Sequence, residues 1–251
     1  MEKIKEELAL LLAESRALFF ADGLTLKDGR PSPYFVNFGL FRTGRLVSEL
    51  GRIMADFLVT TKKTDDFDVL VGPSYKGSAL AVATCSALWG NHRLDRGFDY
   101  DRKEAKSHGE ASSTATGFVT GALADGARVL VIDDVATTMD TKFDILAKLT
   151  SEASAQGRSY VLAGVVLFLD REQTTAVYDR DGHPILGEKG QDAIRNFMVR
   201  TNQEVQTVTS IREVVRHLSA LKAPVLQNGV MAPLSHESIA ALEAYLETYG
   251  V

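Results

Sequence analysis

Apolar residues recur at helical spacing at Ile4, Leu8, Leu11, Leu12, Leu18 and Phe19, which predicts an amphipathic helix over residues 3–20. Residues 25–36 read as two short strands around a turn made by Asp28, Gly29, Arg30, Pro31, Ser32 and Pro33. Residues 43–60 return to a helical pattern. An apolar run over 68–71 predicts a strand stopped by Gly72 and Pro73, and 77–90 a second helix. Residues 99–116 are polar, charged and poor in apolar positions, so they read as a mobile loop. Beyond it come a strand over 128–132, a helix over 142–155, strands over 160–169 and 205–209, and helices over 211–221 and 237–248. Strands that alternate with helices predict an α/β fold: a doubly wound, mostly parallel sheet flanked by helices. Residues 176–190 fall outside the alternation as an insertion, a hairpin with Asp181 and Gly182 in its turn, and 222–234 read as a connector. No repeat or linker divides residues 1–251, so one domain is expected.

Composition narrows the function classes. The chain has 251 residues, 45% of them hydrophobic, enough for a full core. A net charge of -5 provides no general basic field for nucleic acid. Cys85 is the only cysteine, which excludes an internal disulfide; it lies in an apolar helical run and is expected to be packing. No apolar run reaches the roughly 20 residues of a membrane span. The charged first residues have no signal-peptide core behind them, so a soluble, cytoplasmic protein is expected.

Four segments carry chemistry. Val129, Leu130, Val131 and Ile132 read as a buried strand, and Asp133 and Asp134 sit where it should end. The turn that follows, Val135, Ala136, Thr137, Thr138, Met139, Asp140 and Thr141, is rich in hydroxyls and leads into a helix. Ligands of open α/β sheets bind at the carboxyl ends of strands. Backbone N–H groups at a helix start suit a phosphate, and two adjacent acids suit the hydroxyls of a ribose. The pattern resembles the 5-phosphoribosyl diphosphate (PRPP) motif of type I phosphoribosyltransferases. The second segment, from Gly72 to Gly77, is another strand-to-helix turn whose glycines allow close backbone approach, with Tyr75 and a cation, Lys76. The third holds Arg102, Lys103, Lys106 and His108, donors that a loop can bring to a departing diphosphate. The fourth, around Lys27, reads from composition only as a hairpin with an exposed lysine.

Two strings, Leu-Lys-Asp-Gly-Arg-Pro-Ser-Pro-Tyr-Phe over 26–35 and Arg-Lys-Glu-Ala-Lys-Ser-His-Gly over 102–109, resemble the orotate phosphoribosyltransferase family in particular. The resemblance covers most of residues 1–175 and resumes near 205–218 and in the last helix. It implies transfer of the 5-phosphoribosyl group of PRPP to orotate with Mg²⁺, in pyrimidine synthesis, with residues 1–45 forming an N-terminal helix and hood. It places Lys27, Tyr75 and Lys76 on the diphosphate side, Asp133 and Asp134 on the ribose, and residues 135–141 on the phosphate. Phe35 and Val36 should form the orotate pocket, partly through backbone groups. Thr137 should touch both substrates, and Arg171 should face the orotate carboxylate. The loop of residues 102–110 should serve the neighbouring subunit of a homodimer. Mg²⁺ should come bound to PRPP, so no protein ligand to it is named.

Three features depart from the family pattern. Val36 stands where a second aromatic is usual. Residues 176–190 are longer than the usual connection. The phosphate turn has Met139 where a glycine is usual, straining any φ > 0 backbone, and Asp140 where a threonine is usual. Asp140 adds charge beside a phosphate, unless Lys142 partly offsets it or Asp140 turns away to cap the helix, so weaker PRPP binding with turnover retained is expected. The competing readings are a PRPP-binding regulator and a phosphoribosyltransferase for a purine base. A regulator would not need the charged loop, and a purine has no carboxylate for Arg171.

Overall fold

The computed structural model describes residues 1–102 and 117–251. In chain order the elements are α1 (Glu2–Glu14), β1 (Leu18–Phe20), β2 (Tyr34–Val36), α2 (Gly44–Thr60), β3 (Val69–Gly72), α3 (Lys76–His92), β4 (Gly97–Tyr100) and β5 (Ala127–Val135). They continue as α4 (Asp140–Gln156), β6 (Tyr160–Asp170), α5 (Ala193–Thr201), β7 (Val205–Ser210), α6 (Ile211–Ala220), β8 (Pro224–Gln227), β9 (Val230–Pro233) and α7 (His236–Tyr249).

Among the described residues, five strands form a sheet in the order β4-β3-β5-β6-β7, and each pairing is parallel. Helices cover both of its faces. In β5, Leu130 and Ile132 enter the core shared with α1, α2, α3 and α6, while Val129 and Val131 enter the core shared with α4 and α5. A strand buried on both sides needs an unbroken apolar run, which is why this one was visible as such. Cys85 is a buried, free thiol in α3, and burial pushes its pKa up to about 12, so it packs rather than reacts.

A second, four-stranded sheet in the order β2-β1-β8-β9 caps the first core, and its formation corrects three expectations. The first helix stops at Glu14, not at residue 20, and the chain turns through Arg16 at φ 57°. Leu18 and Phe20 then face the core while Phe19 points away, because β1 is claimed on one side by β2 and on the other by β8. Sheet pairing overrides the helical spacing of Leu18 and Phe19. Of the two strands expected over 25–36 only β2 forms; the other is a single bridge between Thr25 and Pro31. The expected connector over 222–234 is a hairpin, β8 and β9, closed by Asn228 at φ 46° and Gly229 at φ 85°. Two positive φ angles are what a tight hairpin turn needs.

Three smaller differences concern one edge of the main sheet, a helix and the insertion. Residues 97–100, partly assigned to a loop, are the edge strand β4. The helix α5, started by the Asp192 side chain accepting from the Arg195 N–H, was not expected. In the 176–190 insertion the hairpin is reduced to one bridge, Tyr178 to Pro184, with Gly182 at φ 83°.

Candidate active site

The strand β5 runs three residues further than its apolar run suggests, so Asp133 and Asp134 belong to its last residues. Neighbouring side chains of a strand point to opposite faces. Accordingly, Asp133 meets Lys142 of α4, with Nζ 2.5 Å from Oδ2, and Asp134 meets Lys76 of α3 at 3.1 Å on the other face. Backbone donors hold the remaining oxygens: the Asp134 N–H donates to Asp133 Oδ1 at 2.9 Å and the Val135 N–H to Asp134 Oδ1 at 2.8 Å. A carboxylate offers about four lone-pair sites, so each acid keeps room for a hydroxyl donor. Both are buried. Burial, and secondarily the Asp134 charge, hold the Asp133 carboxyl above its usual range, while Lys142 pulls it down.

The turn after β5 lacks glycine. Met139 adopts φ 64°, ψ 5° at the start of α4, the left-handed conformation that the sequence implied. A side chain there costs on the order of 1 kcal/mol. Met139 is only 1% exposed and packs in the core with Ala136 and Ile145. Thr137, Thr138, Asp140 and Thr141 are exposed around it. Lys142 is not the counterion for Asp140 that the sequence suggested. Its ammonium is turned inward, to Asp133 and to the Val135 carbonyl at 3.1 Å. Asp140 instead accepts from the Thr138 hydroxyl at 2.6 Å.

Beside this turn lies the one from Gly72 to Gly77. Its two glycines face each other: a Cβ on Gly72 would lie 1.9 Å from the Gly77 carbonyl oxygen. Tyr75 and Lys76 are exposed at its rim, and the Ser74–Tyr75 peptide is cis. The buried Asp101 carboxylate accepts from the Ser74 N–H at 2.6 Å and also from Lys148. Residues on both sides of the charged segment are tied together here. The Arg102 N–H donates to the Gly117 carbonyl at 2.8 Å, Arg102 Nε to the Phe118 carbonyl at 3.3 Å, and Asp99 accepts the N–H groups of Val119, Thr120 and Gly121. Lys103, Lys106 and His108 lie outside the described residues.

Arg171 follows β6 at the same edge of the sheet and is 5% exposed. Its Nε and Nη2 are buried and meet no hydrogen-bond acceptor among the described residues. The guanidinium lies over the Tyr34 ring at 5.2 Å, and Tyr34 packs edge-on against Tyr245 at 5.9 Å. Tyr245 in turn donates its hydroxyl proton to Gln173 Oε1 at 3.0 Å. Two buried guanidinium N–H groups without an acceptor are costly, and a planar carboxylate would satisfy them through two parallel hydrogen bonds. The strand β2 brings Tyr34 to this arginine, leaves Phe35 half-buried beside Phe19, and buries the Val36 side chain in the core. Only backbone atoms of Val36 remain for a ligand. Lys27 stands exposed in the preceding turn.

A cavity of about 380 Å³ lies at the amino end of β6, between Leu146, Tyr160 and Gln203, far along the strands from the acids. A smaller one, about 70 Å³, is lined by Thr137, Asp170, Gln173 and Asp192 at the carboxyl edge. The convergent charges are at that edge, where an open α/β sheet places its ligand. Sequence reasoning missed Lys142, Tyr34 and Tyr245. For Lys142 a signal existed: with Ile145, Leu149 and Glu152 it forms the buried face of α4, at spacings that mark all four as inward.

No family model matches the chain. Over 254 residues it is 33% identical to the orotate phosphoribosyltransferase of Bifidobacterium longum, with 99% of each chain covered. The same enzyme of Escherichia coli is 35% identical over 227 residues, covering 90% of this chain and 89% of the relative. Among solved structures, the orotate phosphoribosyltransferase of Francisella tularensis superposes with a TM-score of 0.68 at 28% identity, over 95% of this chain and 93% of that one.

Proposed function

We infer how this chain works from one premise: it belongs to the orotate phosphoribosyltransferase family. It transfers the 5-phosphoribosyl group of PRPP to orotate, giving orotidine 5′-monophosphate and diphosphate in pyrimidine synthesis. A nitrogen of orotate forms the new bond to ribose C1 as the C1–diphosphate bond breaks. The acceptor nitrogen gives up its proton as the bond forms, and the departing diphosphate, more basic as it leaves, can take it, so the step needs no covalent nucleophile and no strong protein base. What it needs is alignment of the two substrates and donors for the leaving group.

In this proposal Asp133 and Asp134 accept from the ribose hydroxyls, and the turn of residues 135–141 receives the 5-phosphate at the start of α4 through N–H groups other than that of Val135, which Asp134 holds. Lys27, Tyr75 and Lys76 face the diphosphate, joined by Arg102, Lys103, Lys106 and His108. Phe35 and the backbone at Val36 flank orotate, with Thr137 between the substrates, and Arg171 takes the carboxylate. No group of three or more carboxylate, imidazole or thiol side chains able to hold a metal occurs among the described residues. Mg²⁺ prefers oxygen ligands and keeps its waters, so it fits the diphosphate oxygens of PRPP better than this protein edge. There it would neutralise leaving-group charge. The proposal extends to a cytoplasmic homodimer that shares the 102–110 segment between subunits; no helix among the described residues is long and apolar enough to cross a membrane.

The observation that supports orotate as the acceptor is the pair of buried Arg171 nitrogens, Nε and Nη2, that meet no acceptor among the described residues. Initial rates can be followed by the fall in orotate absorbance with PRPP and Mg²⁺. Arg171→Met should raise the KM for orotate by more than about tenfold and leave the KM for PRPP within about twofold. An unchanged orotate KM would remove Arg171 from the acceptor site.

A further inference from the structure

We infer that Lys142 is a positioning residue for PRPP: from α4 it holds the Asp133 carboxylate ionised and turned toward the ribose. The inference rests on the proposed role of Asp133 in binding the ribose. Lys142 is 3% exposed, and its ammonium has two partners, Asp133 Oδ2 and the Val135 carbonyl. Both are in the last three residues of β5, and the Asp133 side chain is itself only 10% exposed. A lysine is seldom buried unless its charge is needed.

The need is evident in what else faces Asp133. From its own strand comes the Asp134 charge; from α3 comes Lys76, which pairs with Asp134 and not with Asp133; from β6, Leu167 lies in register beside it. From α4 comes Lys142 alone. Burial and Asp134 both favour the protonated acid, and Lys142 is the opposing influence. A protonated Asp133 would lose acceptor capacity for a ribose hydroxyl. One donor on each oxygen fixes the rotation of the carboxylate: the Asp134 N–H on Oδ1 and Lys142 on Oδ2. The remaining lone pairs are thereby held in place. The side chain that could have screened Asp140 is committed to the ribose side instead.

The test compares the KM for PRPP and kcat of the wild type, Lys142→Met, Lys142→Arg, Asp133→Asn and the double variant Asp133→Asn/Lys142→Met between about pH 5.5 and 8.5. PRPP ionises identically with every variant, so its own titration cancels. In Lys142→Met the rise of KM on the acid side should move up by about one pH unit or more, so that KM is about tenfold higher on the acid limb, the two profiles approach each other above it, and kcat changes less. Lys142→Arg should restore most of the affinity. The double variant should be no worse than Asp133→Asn, because Lys142 acts through that carboxylate. A KM raised by one factor at all pH values, or not raised, would overturn the inference and leave Lys142 a brace for the turn. Should Lys142→Met fail to fold, the double variant carries no orphaned buried charge and decides the matter: a KM well above that of Asp133→Asn overturns it. If Asp133→Asn itself leaves the KM for PRPP unchanged, the ribose assignment fails, a result distinct from the others.

Discussion

Two strand-to-helix turns lie side by side at the carboxyl edge of the sheet, and they are held in opposite ways. The turn from Gly72 to Gly77 is closed by removing side chains, so that backbone packs on backbone. The turn from Ala136 to Thr141 has no glycine, carries a methionine at φ 64°, and is closed by side chains that reach inward. Met139 fills the core below it, and Lys142 ties the strand end above. A tight turn over a ligand can thus be fixed by absent atoms or by anchored ones. The first solution tolerates no addition at its glycines and turns its one charge, Lys76, outward. The second leaves charges, Asp140 and Lys142, where the ligand's own charge must fit.

The comparison breaks most sharply at Gly72. Gly72→Ala places a methyl against the Gly77 carbonyl, and neither strand nor helix can yield cheaply. A loss of about 3 kcal/mol or more is expected, read from the denaturant midpoint. A loss under about 1 kcal/mol would mean that the turn is not packed backbone to backbone. Met139→Gly sharpens the contrast from the other side. Relief of the left-handed conformation returns about 1 kcal/mol, and the lost burial costs about 3, so the net should be a destabilisation of roughly 2 kcal/mol. A more stable protein would show that the side chain does not anchor the turn.

Asp140→Thr tests the charge left in the second turn. Asp140 is exposed, so water screens it, and the KM for PRPP should fall only about three- to tenfold with kcat nearly unchanged. An unchanged KM would assign the turn's effect to geometry alone. The smallest effect should come from Lys76, whose side chain is 56% exposed in its pair with Asp134. Lys76→Met should change unfolding free energy by less than about 1 kcal/mol. A larger loss would make the two lysine–carboxylate pairs alike, which their burial argues against.

The parallel sheet was legible because strands buried on both faces cannot conceal their apolar runs, and the two acids were legible because they interrupt one. The strand β1 was not. Leu18 and Phe19 fit the preceding helical spacing, and the partners that claim them, Val36 and Leu226 among others, lie far along the chain. The hairpin of β8 and β9 did carry its Asn228-Gly229 signal, masked by Pro224 and Pro233 at its ends. Lys142 was read as a possible counterion for Asp140, although its spacing to Ile145 and Leu149 marked it as inward. Arg171 entered through the family resemblance, and nothing local to it could have announced Tyr34, which is 137 positions away.

The wall around Arg171 also sets a timetable for synthesis. Its aromatic face comes from Tyr34, near the start of the chain. Beside it, Gln173 takes its bond from Tyr245, and the Tyr249 carbonyl receives both the N–H and the hydroxyl of Thr174. A nascent chain that has just released α6 from the ribosome has made every element of the phosphate edge, yet the strip after Arg171 still lacks its last clasp. Tyr34 and α7 must meet beside that arginine before the pocket proposed for orotate is complete. With Arg171 in its proposed role, the chain gains competence to join the two substrates only after α7 has emerged.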